Sequence, residues 1–406
     1  MKLWKGIKYW SQALLLPVYG LSYLIPRSKR TWLLGSSFGK RFADNPKYFY
    51  LYLSQYQKKN IKPVWISHKK DIVQMLRASG YQAYHHRSLK GMWYCLHAGV
   101  YIFDNYSKDI SFWLSGGALK INLWHGVGNK KINYDNRFDL IRHPRNKWES
   151  FKTYLRRLSD EKPYHYTLAT SPVKKKIFAS AFRTEEAHII EDGLPRNDVL
   201  LNSEIKNFYT EQERKLLKEI DVWKQEKKLI NCYMPTFRKS ESKFFEVMEL
   251  QRFNDFLVKN NMMFLMKLHP KSTLRDRFQQ IHFSNIVNID ADVDPYTFLN
   301  QVDILTTDYS SIYTDFMLLN RPVVGFYYDY ELYSTETRDC YFNFEEYMPE
   351  IKAKSMEELM EAILHVMKAD ECKEKRMKSR DRMFSKTDGR ACSSIYDKIW
   401  KILKEK

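Results

Sequence analysis

The 406-residue chain is 44% hydrophobic and rich in Tyr (28) and Phe (24), apolar material for two cores rather than one and not for a long disordered tail. Its formal net charge of +19 attracts an anionic partner, whether a phosphate-rich substrate, anionic lipid or nucleic acid, without choosing among them, and is otherwise a solvated basic surface. The cysteines Cys95, Cys232, Cys340, Cys372 and Cys392 are scattered and form no CxxC, which argues against a disulfide framework and a zinc site and for a reducing compartment.

At the amino terminus Leu3, Ile7, Trp10 and Leu14 form a helical stripe, with Lys2, Lys5 and Lys8 mainly off it. An apolar run from Ala13 to Ile25 follows. Pro17 and Gly20 interrupt it, and Arg27, Lys29 and Arg30 close it. The run is too short for a spanning helix, which needs about 20 apolar residues, and it lacks a small-residue cleavage site. Residues 1–30 therefore read as an amphipathic segment lying on a membrane surface, with a core-packed helix as the alternative.

From Thr31 onward short apolar runs alternate with amphipathic stretches. Strands are expected at Thr31–Gly35, Pro63–Ser67, Gln82–His85, Val100–Phe103, Ile121–Trp124, Tyr166–Thr170 and Ala187–Glu191. A second series is Leu229–Met234, Met263–Leu268, Ile286–Ile289, Ile304–Thr307 and Pro322–Tyr327. Helices are expected at Pro46–Lys58, capped by Asn45, and at Asp71–Ser79 and Phe245–Asn260. This alternation predicts an α/β protein of parallel sheets, with one domain over 31–201 and another over 202–406. Ligands in such sheets bind beyond the carboxyl ends of strands. No GxGxxG and no P-loop is present.

Five polar clusters follow expected strands. Trp124-His125-Gly126-Val127-Gly128 puts a histidine before two glycines, as a general base or as a structural turn. Asp192 to Asp198 surrounds Arg196, whose planar fork suits phosphate, and is otherwise a turn. Pro235-Thr236-Phe237-Arg238 offers a hydroxyl and a cation, and Lys267-Leu268-His269 places a histidine beside lysines. Thr307-Asp308-Tyr309-Ser310-Ser311 opens a helix that continues to Asp315, an anion site or a simple cap. Asp290, Asp292 and Asp294 read as a solvated turn with Asp294 capping a helix at Pro295, rather than as metal ligands. No metal and no cofactor is expected.

In this order the clusters resemble the CDP-glycerol glycerophosphotransferase family of teichoic acid and capsule synthesis. Phe42 to Tyr48, Arg321-Pro322-Val323, and Arg338 to Pro349 with Tyr341, Phe344, Glu345 and Glu346 add to the likeness. The resemblance implies a GT-B-like arrangement, two Rossmann-like doubly wound domains facing across a cleft, in a monotopic enzyme on the cytoplasmic face of the cell membrane. It implies transfer of glycerol phosphate or a related alditol phosphate from CDP-glycerol or CDP-ribitol to a polyprenyl-diphosphate-linked acceptor, with release of CMP. By it, His125 is the base and His269 contacts the donor diphosphate. Arg196, Pro235, Thr236, Arg238, Lys267, Leu268, Ser310, Ser311 and Asp315 line the donor site, with Trp124, Gly126, Val127 and Gly128 as the opposite wall. Val127 to Lys131 departs from the threonine and proline common in relatives. The chain lacks the extra amino-terminal domains of many polymerising members, which leans toward addition of one or few units. Between Lys120 and Arg183, fifteen Lys/Arg against five Asp/Glu, interleaved with Phe138, Trp148, Phe151 and Tyr154, suit an anionic membrane surface. A GT-B glycosyltransferase using a nucleotide sugar is the alternative. Binding to nucleic acid is not expected.

Overall fold

The computed structural model describes residues 7, 9–161, 165–202, 207–236, 242–269, 272, 274–275, 282–330 and 339–405. By its internal contacts the chain forms two units. One comprises Met1–Gly126, Lys131–Asn207 and Phe384–Lys406, the other Val127–Lys130 and Phe208–Met383. The sequence expectation put one boundary at 201/202; by internal contacts the change falls at Asn207/Phe208, and the carboxyl-terminal segment from Phe384 groups with the first unit. Buried acids explain its return. Asp198 accepts from the amides of Ala391 (2.9 Å) and Cys392 (2.7 Å), and Asp192 pairs with Lys398 (2.5 Å) and Lys386 (3.0 Å).

The first unit is built on a seven-stranded parallel sheet in the order β3-β2-β1-β4-β5-β6-β7. Its strands are β1 (Ser28–Leu34), β2 (Lys62–Ser67), β3 (Ala83–His85), β4 (Ala98–Phe103), β5 (Leu119–Asn122), β6 (Tyr166–Ala169) and β7 (Ile189–Glu191). Every residue of β4 and β5 is buried, as befits strands covered on both faces. Two expectations shift. β5 ends at Asn122 rather than Trp124, because Trp124 adopts φ 53°. The helix after β1 runs Asp44–Tyr52 and widens into a π turn at Leu53–Gln57; Asn45 lies inside it and does not act as its cap.

The amino-terminal segment packs on this unit as short turns, Ser11–Leu15, Leu16–Leu21 and Ser22–Leu24. Arg27 clamps it by donating to the carbonyls of Ser22 (3.0 Å), Cys95 (2.7 Å) and Leu114 (2.9 Å). Trp10 stacks on Phe151 at 4.6 Å, while Leu14, Leu21 and Leu24 stay exposed. Leu3, Lys2, Lys5 and Lys8 lie outside the described residues. No helix among the described residues is long and apolar enough to cross a membrane.

The second unit carries a six-stranded parallel sheet in the order β10-β9-β8-β11-β12-β13. Its strands are β8 (Leu229–Met234), β9 (Met262–Met266), β10 (Ile286–Asn288), β11 (Ile304–Thr307), β12 (Val323–Phe326) and β13 (Ile351–Ala353). Tyr233, Phe244, Phe253 and Phe264 pack into its core. The expected long helix splits into Ser242–Val247 and Leu250–Lys259, a break that lets both Phe244 and Phe253 reach that core. Edge strand β13 was not anticipated, for it is three residues long and half-buried. Both sheets follow the Rossmann-type order, with the switch points between β1 and β4 and between β8 and β11.

Candidate active site

In the first unit, the carboxyl ends of β1, β4 and β5 converge on His125. Asn122 Oδ1 accepts from the Trp124 amide at 2.8 Å, and Asn45 Nδ2 donates to the Trp124 carbonyl at 2.8 Å. These bonds, with the Trp124 ring edge-on to Phe182 at 4.9 Å, hold a bulky residue in the left-handed region. That conformation costs on the order of 1 kcal/mol and is the kind of strain found at functional loops. Gly126, at φ 147°, continues the turn in a conformation that only glycine adopts readily.

The exposed His125 ring is oriented by the carbonyl of Asp104, 3.0 Å from Nδ1. A carbonyl only accepts, so Nδ1 carries the proton and Nε2 keeps its lone pair. The protein packed about the ring disfavours the cation and lowers its pKa, against the opposing pull of Asp44 and the Asp104 carbonyl. The result is a neutral imidazole with a reachable basic nitrogen near neutral pH.

Behind it lies a buried acid pair. Asp104 accepts from the Ser37 amide (3.0 Å), and Asp109 from the amides of Phe38 (2.9 Å) and Asn105 (2.9 Å). Ser37, Phe38 and Gly39 all have positive φ, so their loop is held by these acids. Burial, then the neighbouring charges of Asp109 and Asp44, raise the Asp104 pKa well above the usual range; burial raises Asp109 to about 6. The pair therefore holds a proton more tightly than ordinary carboxyl groups do. Arg196, expected at phosphate, is buried. Its guanidinium pairs with Asp44 at 2.9 Å and donates to the His125 carbonyl at 3.0 Å, and its amide bonds Asn45 Oδ1 at 3.2 Å. These contacts make it a positioning residue for the His125 loop.

In the second unit, the carboxyl ends of β8, β9 and β11 gather the other cluster. Buried Asp308 accepts from the Thr236 amide with both oxygens (2.8 and 3.1 Å), and Thr307 Oγ1 donates to the Met234 carbonyl at 2.7 Å. Half-buried Pro235 and Thr236 are thereby tied to the Ser310–Ser311 turn. Ser310 is half-buried and Ser311 exposed; Ser311 opens the short helix Ile312–Phe316 without a side-chain cap bond. Gly128 lies beside it, for a Cβ there would touch Ser311 Cβ at 3.4 Å. Asn129 locks this segment down by exchanging side-chain bonds with Phe342 (3.0 and 2.8 Å), and Val127 is buried.

His269 is exposed at the end of the β9 segment. Its neighbours serve the scaffold. Leu268 belongs to the core, and buried Lys267 donates to the carbonyls of Asp290 (2.8 Å) and Ala291 (2.7 Å). Asp315 is buried and accepts from the Tyr296 hydroxyl at 2.6 Å. Asp294 caps Pro295–Thr297 through the Tyr296 amide. Arg238 lies outside the described residues, as do Phe237, Pro270 and Arg338. Sequence reasoning missed Asn45, Asp104 and Asp109 as supports. It also missed Arg376, which makes bidentate pairs with Glu350 (2.7 and 2.8 Å) and Asp370 (2.6 and 2.7 Å); Glu350 in turn accepts from Tyr313, beside Ser311 (3.1 Å).

The chain is similar to several known proteins. Residues 18–401 match the model of the family described as CDP-Glycerol:Poly(glycerophosphate) glycerophosphotransferase. The teichoic acid poly(glycerol phosphate) polymerase of Bacillus spizizenii is 26% identical over 369 residues, 87% of this chain and 88% of that protein. Against the Staphylococcus epidermidis enzyme of the same name the identity is 27% over 93% of this chain, which spans only 51% of that protein. The ribitol-phosphate polymerase TarL of Staphylococcus aureus is 28% identical over 68% of this chain and 46% of its own length. The solved wall teichoic acid polymerase TagF shares the fold, with a TM-score of 0.75 at 24% identity, covering 100% of this chain and 98% of that one. Because a relative matched over 88% of its length is named a polymerase, chain size does not separate single addition from polymerisation.

Proposed function

The chain belongs to the CDP-glycerol:poly(glycerophosphate) glycerophosphotransferase family, and we propose that it transfers glycerol phosphate from CDP-glycerol to a lipid-linked acceptor in teichoic acid or capsule-type polymer synthesis. The observation that carries the assignment of roles is His125, whose Nδ1 proton is committed to the Asp104 carbonyl.

In this reading Nε2 of His125 takes the proton of the acceptor hydroxyl. The oxygen attacks the phosphorus bearing the glycerol, a new P–O bond forms, and the bond to the bridging oxygen breaks. CMP leaves with that oxygen. His269, Thr236 and the hydroxyls of Ser310 and Ser311 stabilise the phosphate charge that builds up. Asp315 supports their helix from within. CDP-ribitol is the second donor to try, because ribitol-phosphate enzymes stand among the relatives.

A membrane surface suits the exposed apolar groups. Ile7, Leu14, Leu21 and Leu24 join Trp148, Phe151 and Tyr154 of the helix Lys147–Glu161, with Lys152 over the Trp148 ring at 4.9 Å. Such a mixture suits the headgroup region of an anionic bilayer, and the reading places it on the cytoplasmic face. Loss of flotation with anionic vesicles in Trp148→Glu/Phe151→Glu is the expected result.

The deciding assay offers radiolabelled CDP-glycerol or CDP-ribitol with a polyprenyl-diphosphate-linked acceptor. Label in the lipid fraction with equimolar CMP is expected. A product linked through sugar without phosphate would replace this reading by a glycosyltransferase.

A further inference from the structure

The first sheet carries a second group of cations that the reaction above does not use. At the carboxyl ends of β2 and β3, a cavity of about 510 Å³ is lined by Lys70, Val73, Gln74, His85, Arg87 and Ser88. That volume suits a small ligand. The lining holds two permanent cations and an imidazole but no carboxylate. Lys70 and Arg87 are exposed, and no ion pair engages either among the described residues. Ser88 Oγ donates to the His85 carbonyl at 2.8 Å and receives the Gly91 amide at 3.1 Å, fixing the turn. The Arg87 amide donates to His85 Nδ1 at 3.3 Å. Nδ1 is thus the acceptor, and Nε2–H is left to donate.

This cavity lies on the same sheet edge as the proposed base. The His85 ring is 4.5 Å from that of His86, which packs on His68 at 3.8 Å. The His68 amide bonds the Gly39 carbonyl at 2.7 Å, in the loop that Asp104 and Asp109 hold. Four strand spacings separate β3 from β5, roughly 19 Å. A reacting phosphorus must sit about 3–3.5 Å from the attacking oxygen, so an anion in the cavity is not the one being transferred. It must lie well behind the reacting hydroxyl of an acceptor.

We infer that Lys70, His85, Arg87 and Ser88 form a subsite for phosphodiester groups of an acceptor that already carries several repeats. The inference rests on the transfer reading above and names how that site would take an elongated, polyanionic substrate. Two cations facing one phosphodiester suit the charge-assisted bonds that such a group accepts.

The test compares the full-length protein with Lys70→Ala/Arg87→Ala and with Lys69→Ala, which removes a charge just outside the cavity. Acceptors are soluble oligo(glycerol phosphate) chains from one unit to about eight. For the longest acceptors, KM should rise roughly tenfold in the double variant, the penalty should shrink as the acceptor shortens, and Lys69→Ala should match the parent. Equal KM at all lengths, or an equal penalty in Lys69→Ala, overturns the subsite. Calorimetry of the oligomers without donor separates the two readings. Weaker oligomer binding in the double variant supports the subsite even where no transfer is seen, and then the transfer reading alone fails. Should the double variant lose anionic phospholipid vesicles yet keep its oligomer affinity, a lipid headgroup is the ligand and the acceptor assignment falls.

Discussion

The two sheets share one strand order but finish their carboxyl edges differently. Around His125 the supporting groups are buried and spent on backbone: Asn45 on the Trp124 carbonyl, Arg196 on the His125 carbonyl, Asp104 and Asp109 on the amides of Ser37 and Phe38. One imidazole emerges from this frame. In the second sheet the groups suited to phosphate, Ser310, Ser311 and His269, lie at least partly at the surface, and the buried ion pairs sit further back, at Arg376. A proton acceptor must be aimed within a few tenths of an ångström, whereas several donors sharing one phosphate tolerate more play. Edits around the first edge should therefore appear in kcat, and edits around the second in donor KM.

The largest effect is expected from His125→Ala. Loss of a positioned base lowers kcat by roughly 10²- to 10⁴-fold, with the thermal unfolding curve unchanged because the ring is exposed. Near-parental turnover would remove the base assignment and with it the contrast between the edges. The pH profile sharpens the same point. A lowered His125 pKa keeps Nε2 unprotonated further into acid, so the acid limb of kcat/KM should fall below the ordinary histidine value. A limb at or above that value would show that the packing around the ring does not act as described.

Arg376→Ala should act on stability. It strands buried Glu350 and leaves half-buried Asp370 without its partner, at a cost of about 3–5 kcal/mol. Denaturant unfolding should show the loss, and partial unfolding should reach Tyr313 and the Ser311 turn first. Asn45→Ala is milder. It frees the Trp124 carbonyl and the Arg196 amide, costing about 1–3 kcal/mol. Its kinetic mark should be a lower kcat with little change in donor KM. The reverse pattern would mean that Asn45 does not serve the His125 loop.

The strands were legible because buried parallel strands read as continuous apolar runs: Leu229–Met234 and Ile304–Thr307 agree with the structure to the residue. Legibility ended where a residue's service depends on partners distant in sequence. Asn45 looks like a helix cap by local rules, yet its amide reaches the Trp124 carbonyl, 79 positions away. Arg196 and Lys267 look like phosphate ligands because they are cationic, and only burial reveals that carbonyls and Asp44 consume them. Asp104 and Asp109 follow a strand without any motif, so nothing local marked them. The return of Phe384–Lys406 to the first unit depends on Asp192 and Asp198, whose cluster reads by local rules as a turn or a phosphate loop.

The smallest expected effect concerns that silent acid pair and tests how the first edge is held. Asp104 is raised by burial and by Asp109, so the folded protein keeps a proton that the unfolded chain releases as pH climbs past the ordinary carboxyl value. The folded state then binds more protons than the unfolded one, and this pair's contribution to stability falls as pH rises. Asp104→Asn imitates the protonated acid: its oxygen can accept from Ser37 and its amide can donate to Asp109. The variant has no such proton to retain. Its stability relative to the parent should therefore improve as pH rises above the ordinary carboxyl value in urea titrations, while the Asp104 backbone carbonyl continues to orient His125. Parallel curves for the two proteins would mean that Asp104 is ionised in the fold, and that the first edge is held by charge rather than by a shared proton.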